Sequence, residues 1–231
     1  MEQQAAQAAL EYIRDGMTIG LGSGKVIEYL IQFISMNNYP HLKIVTNSLT
    51  TALEASKREL NVVPCEIVEH IDVDFEAVDA LFKDGAIKTD SGVLVEDKLI
   101  AAMADKFIVI VDKENLVENL TDAYPVKVSV IPAAVSFVKY RLEEMDARQV
   151  VLPEDSHAVQ SAGGNYVITA TFRPVEDLKK LEEAIVSIPG VISTSLYTDL
   201  YSTMLVYSAD GVETLENNAE EDSTPENVES K

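Results

Sequence analysis

Residues Met17–Ile34 run from an apolar segment through a glycine turn into an amphipathic stretch with no spacer between them. "MTIGL" has the length and apolarity of a short buried strand. Val26, Ile27, Leu30, Ile31 and Ile34 then recur on one face of a helix over 24–36. A chain that passes from strand to helix through Gly20-Leu21-Gly22-Ser23-Gly24-Lys25-Val26 is committed to a βα unit, and the alternation continues. Ala5, Ala8, Ala9, Tyr12 and Ile13 predict a first helix over 3–14. "KIVTNS" reads as a strand that stops at Asn47-Ser48, Thr50–Leu60 as a helix with Leu53 inward, and "NVVPCEIV" as a strand bent or placed at an edge by Pro64. After a loop region, "LVEDKLIAAMADK" reads as a helix and "FIVIVD" as a fully buried strand. Continuous apolar strands alternating with helices imply an α/β fold, its parallel sheet covered on both faces.

The pattern changes after Tyr124-Pro125. "VKVSVIP", "AAVSFVKYRLEEM" and "RQVVL" read as strand, helix and strand. A polar loop between Pro153 and Gly164 leads to "NYVITATF", "VEDLKKLEEAIVSI" and "VISTSLY", again strand, helix and strand, and "TMLVYS" is a further strand. The order β-α-β-β-α-β is the split-βαβ, ferredoxin-like signature of a small α+β domain. The expected organisation is therefore a first domain over 1–125 that resumes at about 208–216, a ferredoxin-like domain over 126–207, and an acidic disordered tail over 217–231.

The formal net charge of −21 argues against nucleic acid, whose phosphates require clustered Lys and Arg, and against anionic membranes. Part of that charge lies in the tail from Glu213 to Lys231, which is polar, acidic and without apolar periodicity. No apolar run has the length to span a bilayer, and the N-terminus lacks the pattern of a secretory signal. Cys65 is the only cysteine, so no intramolecular disulfide forms, in keeping with the cytoplasm. His41, His70 and His157 are too dispersed to read as a metal site.

Two stretches carry candidate chemistry. A glycine turn that opens a helix offers backbone N–H groups and the positive helix end to an anion. "GLGSGK" matches neither the spacing of a P-loop nor Gly-x-Gly-x-x-Gly, whose third glycine falls on Lys25 counted from Gly20 and on Ile27 counted from Gly22. A tight turn without a ligand reads equally well. The second stretch is "HIDVDFEAVDALFKDGAIKTDSGVLVEDK", with Asp72, Asp74, Glu76 and Asp79 before Lys88, and Glu96, Asp97 and Lys98 at its end. Carboxylates beside a lysine suit proton abstraction next to a carbonyl: the carboxylate takes the carbon-bound proton and the lysine stabilises the enediolate oxygen. The alternative is a solvated acidic loop leading into a helix whose first turn carries Glu96 and Asp97, favourable for the helix dipole.

Over nearly its whole folded length the chain resembles the ribose-5-phosphate isomerase A family. "AALEYIRDGMTIGLGSGKVIEYLI" resembles the family's first helix, strand and loop, usually Gly-x-Gly-[Ser/Thr]-Gly-Ser-Thr. "VTNSLTTALEASKRELNV" resembles the next strand and helix, and "AIKTDSGVLVEDKLIAAMADKFIVIVDKENLV" the Lys-Gly-Gly-Gly-Gly-Ala-Leu-Leu-Arg-Glu-Lys segment with the buried strand after it. "YPVKVSVIPAA" and "IPGVISTSLY" resemble landmarks of the smaller domain. The resemblance implies a Rossmann-like domain with a ferredoxin-like second domain, aldose–ketose isomerisation in the pentose phosphate pathway, a homodimer or homotetramer, and no metal or organic cofactor.

It also implies site residues. Aligning the lysine of the family's Arg-Glu-Lys triplet with Lys98 puts Asp97 at the general base, with Glu96 in the arginine's place as a second candidate. Lys88, nine residues before Asp97, matches the family's lysine in type and spacing. Gly22, Ser23 and Gly24 match the substrate loop, where Lys25 and Val26 replace a Ser-Thr pair, so Lys25 is a new candidate cation. Thr89-Asp90-Ser91-Gly92 replaces the glycine run, which makes Thr89 and Ser91 candidate substrate contacts. The family's Asp-Gly-Ala-Asp-Glu motif is absent, and Asp74 and Asp79 are its candidate counterparts. The family's N-terminal lysine falls at Glu2 or Gln3, a later one at Asn115 with Lys113 nearby, and Ser161–Asn165 replaces a Thr-Asp-Asn-Gly-Asn segment. Three functions are compatible with this pattern: the isomerase itself, the same chemistry on another sugar phosphate, or a catalytically impaired sugar-phosphate-binding paralogue. Sugar-sensor domains of the third kind usually follow a DNA-binding helix-turn-helix, which is not expected here because the sequence opens on the first helix of the fold.

Overall fold

The alternating apolar runs build the frame on which everything else hangs. The structure is a computed structural model that describes residues 1–89, 94–120, 123–152 and 163–216. Its elements in chain order are α1 (Glu2–Leu10), β1 (Thr18–Leu21), α2 (Lys25–Met36), β2 (Lys43–Val45), α3 (Leu49–Ser56), β3 (Ile71–Ala77), β4 (Ala80–Phe82), β5 (Gly85–Ile87), α4 (Leu94–Met103), β6 (Ala104–Asp112), β7 (Val126–Val130), α5 (Val135–Glu144), β8 (Ala147–Val151), β9 (Tyr166–Phe172), α6 (Leu178–Val186), β10 (Val191–Thr194), β11 (Leu196–Tyr197), β12 (Thr203–Ser208) and β13 (Gly211–Glu216).

Six strands form the main sheet in the order β13-β12-β6-β3-β1-β2, all neighbours parallel except β12 and β13. From β1 the chain steps to β2 on one side, and β3 then adds on the other. The crevice beyond the carboxyl ends of β1 and β3 is the topological switch point where sheets of this kind bind ligands. α2 covers one face through Val26, Ile27, Leu30, Ile31 and Ile34, each nearly or fully buried. Each such side chain contributes roughly 1.5–3 kcal/mol. Phe107–Val111 in β6 are buried without a break, as a strand covered on both faces must be.

The second sheet has the order β10-β7-β9-β8 with every neighbour antiparallel. With α5 and α6 in the crossovers this is the ferredoxin-like arrangement. A third, small sheet, β11-β5-β4, joins the two units.

Several expectations from the sequence are corrected. "IDVDFEA" is a central strand, β3, rather than an acidic loop; its apolar positions alternate with its acids, and burial of both faces makes it a strand. "NVVPCEIV" forms only a parallel bridge, Ile44 to Val62, and a single 3-10 turn over Cys65–Ile67. Leu53 is outward and 52% exposed; α3 buries Thr51 and Ala55 instead. "VISTSLY" divides between β10 and β11, which lie in different sheets. β12, expected to finish the smaller domain, pairs with β6 in the main sheet, so the ferredoxin-like sheet ends at Thr194. An apolar strand satisfies either sheet, and only pairing partners decide. Most of the expected polar loop after Pro153, Ser91 and the acidic tail from 217 lie outside the described residues.

Candidate functional site

Three glycines shape the turn between β1 and α2, each for its own reason. Gly20 lies opposite Asp74 in the β1–β3 register. A Cβ at Gly20 would run into the Asp74 carboxylate and lie 2.6 Å from Ile100 Cγ2. A Cβ at Gly22 would collide with both carboxylate oxygens of Glu76. Gly24, the residue capping α2, has φ +119°, a backbone conformation that L side chains rarely adopt. Gly22 N–H donates to Phe75 O at 2.9 Å, and Gly22 O accepts from the buried Thr51 hydroxyl at 2.7 Å. The turn is thereby tied to β3 on one side and α3 on the other.

Asp74 and Glu76 alternate with Val73 and Phe75, and so project from the same face of β3. Both are buried, as is Lys88, which follows β5. The Lys88 ammonium forms an ion pair with Glu76 and donates to Ser23 Oγ at 3.0 Å; Ser23 N–H donates to the same Glu76 oxygen at 3.4 Å. Lys88 N–H is fixed to Ser195 O at 3.1 Å. Asp97, in the first turn of α4, is close enough for its charge to act on both Asp74 and Glu76.

Burial dominates the electrostatics. It lifts the Asp74 carboxyl well above the usual carboxylate range, helped by the charges of Glu76 and Asp97. It lifts Glu76 to about 7, with the Lys88 charge opposing and that of Asp97 adding. Tyr197, buried on β11, has its phenol held well above its ordinary value by burial and then by Glu76, Asp97, Asp74 and Glu182. Asp74 and Glu76 of β3 and Asp97 of α4 thus lie close enough to act on one another, with the Lys88 ammonium paired to Glu76 and its charge felt by Asp74. Such a group holds carboxyls poised to exchange protons beside a fixed cation.

The candidate residues from the sequence divide into three groups. Lys88, Asp97, Asp74, Gly22 and Ser23 converge, with Gly24 completing the turn. Asp79 and Thr89 brace the neighbouring chain: the Thr89 N–H and hydroxyl both donate to the Asp79 carboxylate, the hydroxyl at 2.8 Å. Lys25 and Glu96 point elsewhere. Lys25 is half exposed, pairs with Glu28 at 2.7 Å and lies 5.2 Å from the Tyr29 ring centre, so it is no cation of the cluster. Its pKa is raised by Glu28, Tyr29 and Glu2, none of them a residue of the cluster. Glu96 lies near enough to Cys65 for its charge to act there, and one step along the helix turns its side chain by about 100° from that of Asp97. Glu76 and Thr51 were missed as site residues. The signal for Glu76 was the alternation in Ile71–Glu76, which puts acids on one face of a strand.

Fold and site together define a Rossmann-like protein with an acid–base cluster at its switch point. The ribose 5-phosphate isomerase A (phosphoriboisomerase A) family matches residues 43–211, and the chain belongs to that family. It is 30% identical to ribose-5-phosphate isomerase A of Sphingopyxis alaskensis, covering 90% of this chain and 92% of that one. The counterpart from Gloeobacter violaceus is 29% identical over 93% and 95%. Among solved structures, a D-ribose-5-phosphate isomerase in complex with phospho-erythronic acid is similar with a TM-score of 0.86 and 29% identity, covering 94% of this chain and 97% of that one. Ribose 5-phosphate isomerase A of Methanocaldococcus jannaschii is similar with a TM-score of 0.83 and 27% identity, over 94% and 98%. No helix among the described residues is long and apolar enough to cross a membrane.

Proposed function

We infer that this protein is an aldose–ketose isomerase that interconverts ribose-5-phosphate and ribulose-5-phosphate. The observation that carries the reading is the buried Lys88, held by Glu76 and Ser23 at the glycine turn with Asp97 beside it. Asp97 takes the proton from C2 of the aldose and returns it to C1, while the hydroxyl proton moves from O2 to O1. Lys88 stabilises the enediolate oxygen that develops between these steps. Glu76 orients the ammonium, and the N–H groups at Gly22–Gly24 with the start of α2 receive an anionic or hydroxyl end of the sugar. Asp97 is one methylene shorter than the glutamate the family resemblance implies. Glu76-Ala77-Val78-Asp79 has the acid spacing of the Asp-Gly-Ala-Asp-Glu motif, so Glu76, one methylene longer, replaces Asp74 as the counterpart of its first aspartate, with Asp79 as that of the second. Exposed Leu49, Leu53 and Ile67 suit a homodimer or homotetramer, which light scattering after size exclusion decides, and a cytoplasmic setting fits the reduced Cys65.

The test is turnover by purified protein. Ribose-5-phosphate is expected to give ribulose-5-phosphate, and Lys88→Ala to reduce kcat by roughly two to three orders of magnitude, the size seen on removing a group that stabilises developing oxyanion charge. Wild-type turnover no greater than that of Lys88→Ala overturns the reading. The outward turn of Lys25 favours a second substrate assignment, because Lys25, paired with Glu28, does not stand in for the hydroxyls that its segment lacks. A panel of pentose, hexose and tetrose phosphates distinguishes that assignment by kcat/KM.

A further inference from the structure

Lys98 stands beside Asp97 but faces the other unit of the molecule. Its ammonium, largely buried, pairs with Glu182 on α6 and donates to Thr194 Oγ1 at 3.1 Å. Glu182 accepts from Thr194 Oγ1 at 2.8 Å and, through its second oxygen, from Thr198 Oγ1 at 2.7 Å. Lys98 also lies 5.6 Å from the Tyr197 ring centre. Both charges are thus taken out of water and both are satisfied, the condition under which a buried pair holds its partners in one geometry.

The segment that receives Lys98 also fixes Lys88. Ser195 O accepts from Lys88 N–H at 3.1 Å, and Leu196 and Tyr197 pair with Ile87 and Ala86 of β5. Thr194–Thr198 therefore holds β5 and the adjoining Lys88 by its backbone and the helix that carries Asp97 by its side chains. Asp97 and Lys88 themselves come from separate elements, α4 and the end of β5, between which residues 90–93 lie outside the described part.

We propose that the Lys98–Glu182 pair, seated on Thr194 and Thr198, is a positioning clamp that sets the distance between Asp97 and Lys88, so that the ferredoxin-like unit serves the reaction without contributing a reacting group. The proposal rests on the isomerase reading above. Neither Lys98 nor Glu182 is a catalytic residue in it. Its basis is geometric, because a base displaced by a fraction of its reach loses rate while substrate binding persists.

The experiment compares Lys98→Met, Glu182→Gln, the double variant and Lys98→Arg. Kinetics with ribose-5-phosphate, calorimetric binding of phospho-erythronic acid, melting temperature and amide hydrogen exchange in α4 are measured for each. Both single variants are expected to lose roughly tenfold or more in kcat while KM and the Kd of phospho-erythronic acid stay within about threefold, with Lys98→Arg recovering part of the loss. In the double variant no buried charge is left unpaired, so the melting temperature rises above that of the worse single variant. Its kcat stays low if positioning is the role and returns with stability if the pair only supports the fold, and the second result overturns the proposal. So do folded single variants whose kcat lies within about twofold of wild type. Wild-type protein without turnover defeats the isomerase reading, and the catalytic purpose of the clamp with it. The exchange data then decide whether the clamp exists: α4 amides exchange faster in both single variants if it holds the helix, and at the wild-type rate if it does not.

Discussion

Lys88 and Lys25 both lie beside the glycine turn, and their surroundings give the two ammonium groups different capabilities. Lys25 sits on the outer face of α2, paired with Glu28 in reach of water, where solvent and salt weaken any field it produces. Lys88 is buried between Glu76 and Ser23, so its charge acts at close range on the carboxyls around it. A lysine near a turn in the sequence is thus no guide to a lysine in a site. What counts is which side of the sheet the backbone presents it to, and what has been excluded from around it.

The contrast can be broken most forcefully at Gly22. Gly22→Ala places a methyl group where the Glu76 carboxylate stands, and Glu76 is held by Lys88 and cannot swing away. A loss of roughly 1–3 kcal/mol in urea unfolding, with a fall in turnover, is expected from overpacking of this kind. A variant as stable and active as wild type would mean that the buried pair is looser than its geometry implies.

Glu76→Gln sharpens the contrast through pH. Folding raises Glu76 from 4.5 to about 7. Below the lower value it is protonated in both states, and between the two the folded protein holds a proton that the unfolded chain has released. Its contribution to stability is therefore fully present at low pH and is lost as pH rises through about 7, where the folded carboxyl ionises. Unfolding midpoints measured at several pH values are expected to show this decline in wild type and a flatter profile in Glu76→Gln. Parallel profiles would remove Glu76 from the titrating groups. Lys25→Ala is expected to have the smallest effect, leaving melting temperature and turnover at their wild-type values. A clear loss of turnover would return Lys25 to the substrate loop.

Much of this frame was legible in the residues. Periodicity located α2, β6 and the order of the ferredoxin-like unit, because burial of one or both faces writes itself into local spacing. The β4–β5 hairpin escaped notice because its strands are three residues each and its two-residue turn is Lys83-Asp84, without the Asn-Gly or Asp-Gly pair that marks such turns. β3 escaped because its acids resemble a solvated loop by composition, and only their alternation with Val73 and Phe75 marks a strand. Asp97 and Lys88 were found through the family resemblance, while Glu76 was passed over between Asp74 and Asp79. Which of the three acids faces the lysine depends on the register of β3 against β1, in which Gly20 opposes Asp74 and Leu21 opposes Phe75.

The sequence by itself determined the alternation of strands and helices, the glycines of the turn and the residue types able to move a proton, because these follow from local spacing and conformational freedom. Tertiary structure alone decided that Glu76 meets Lys88, that Lys25 and Glu96 face away, and that Lys98 reaches Glu182 across 84 residues of chain. Burial and pairing between distant segments are set by strand register and sheet order. A shift of one residue in the register of β3 would turn Glu76 to the opposite face of the sheet and away from Lys88.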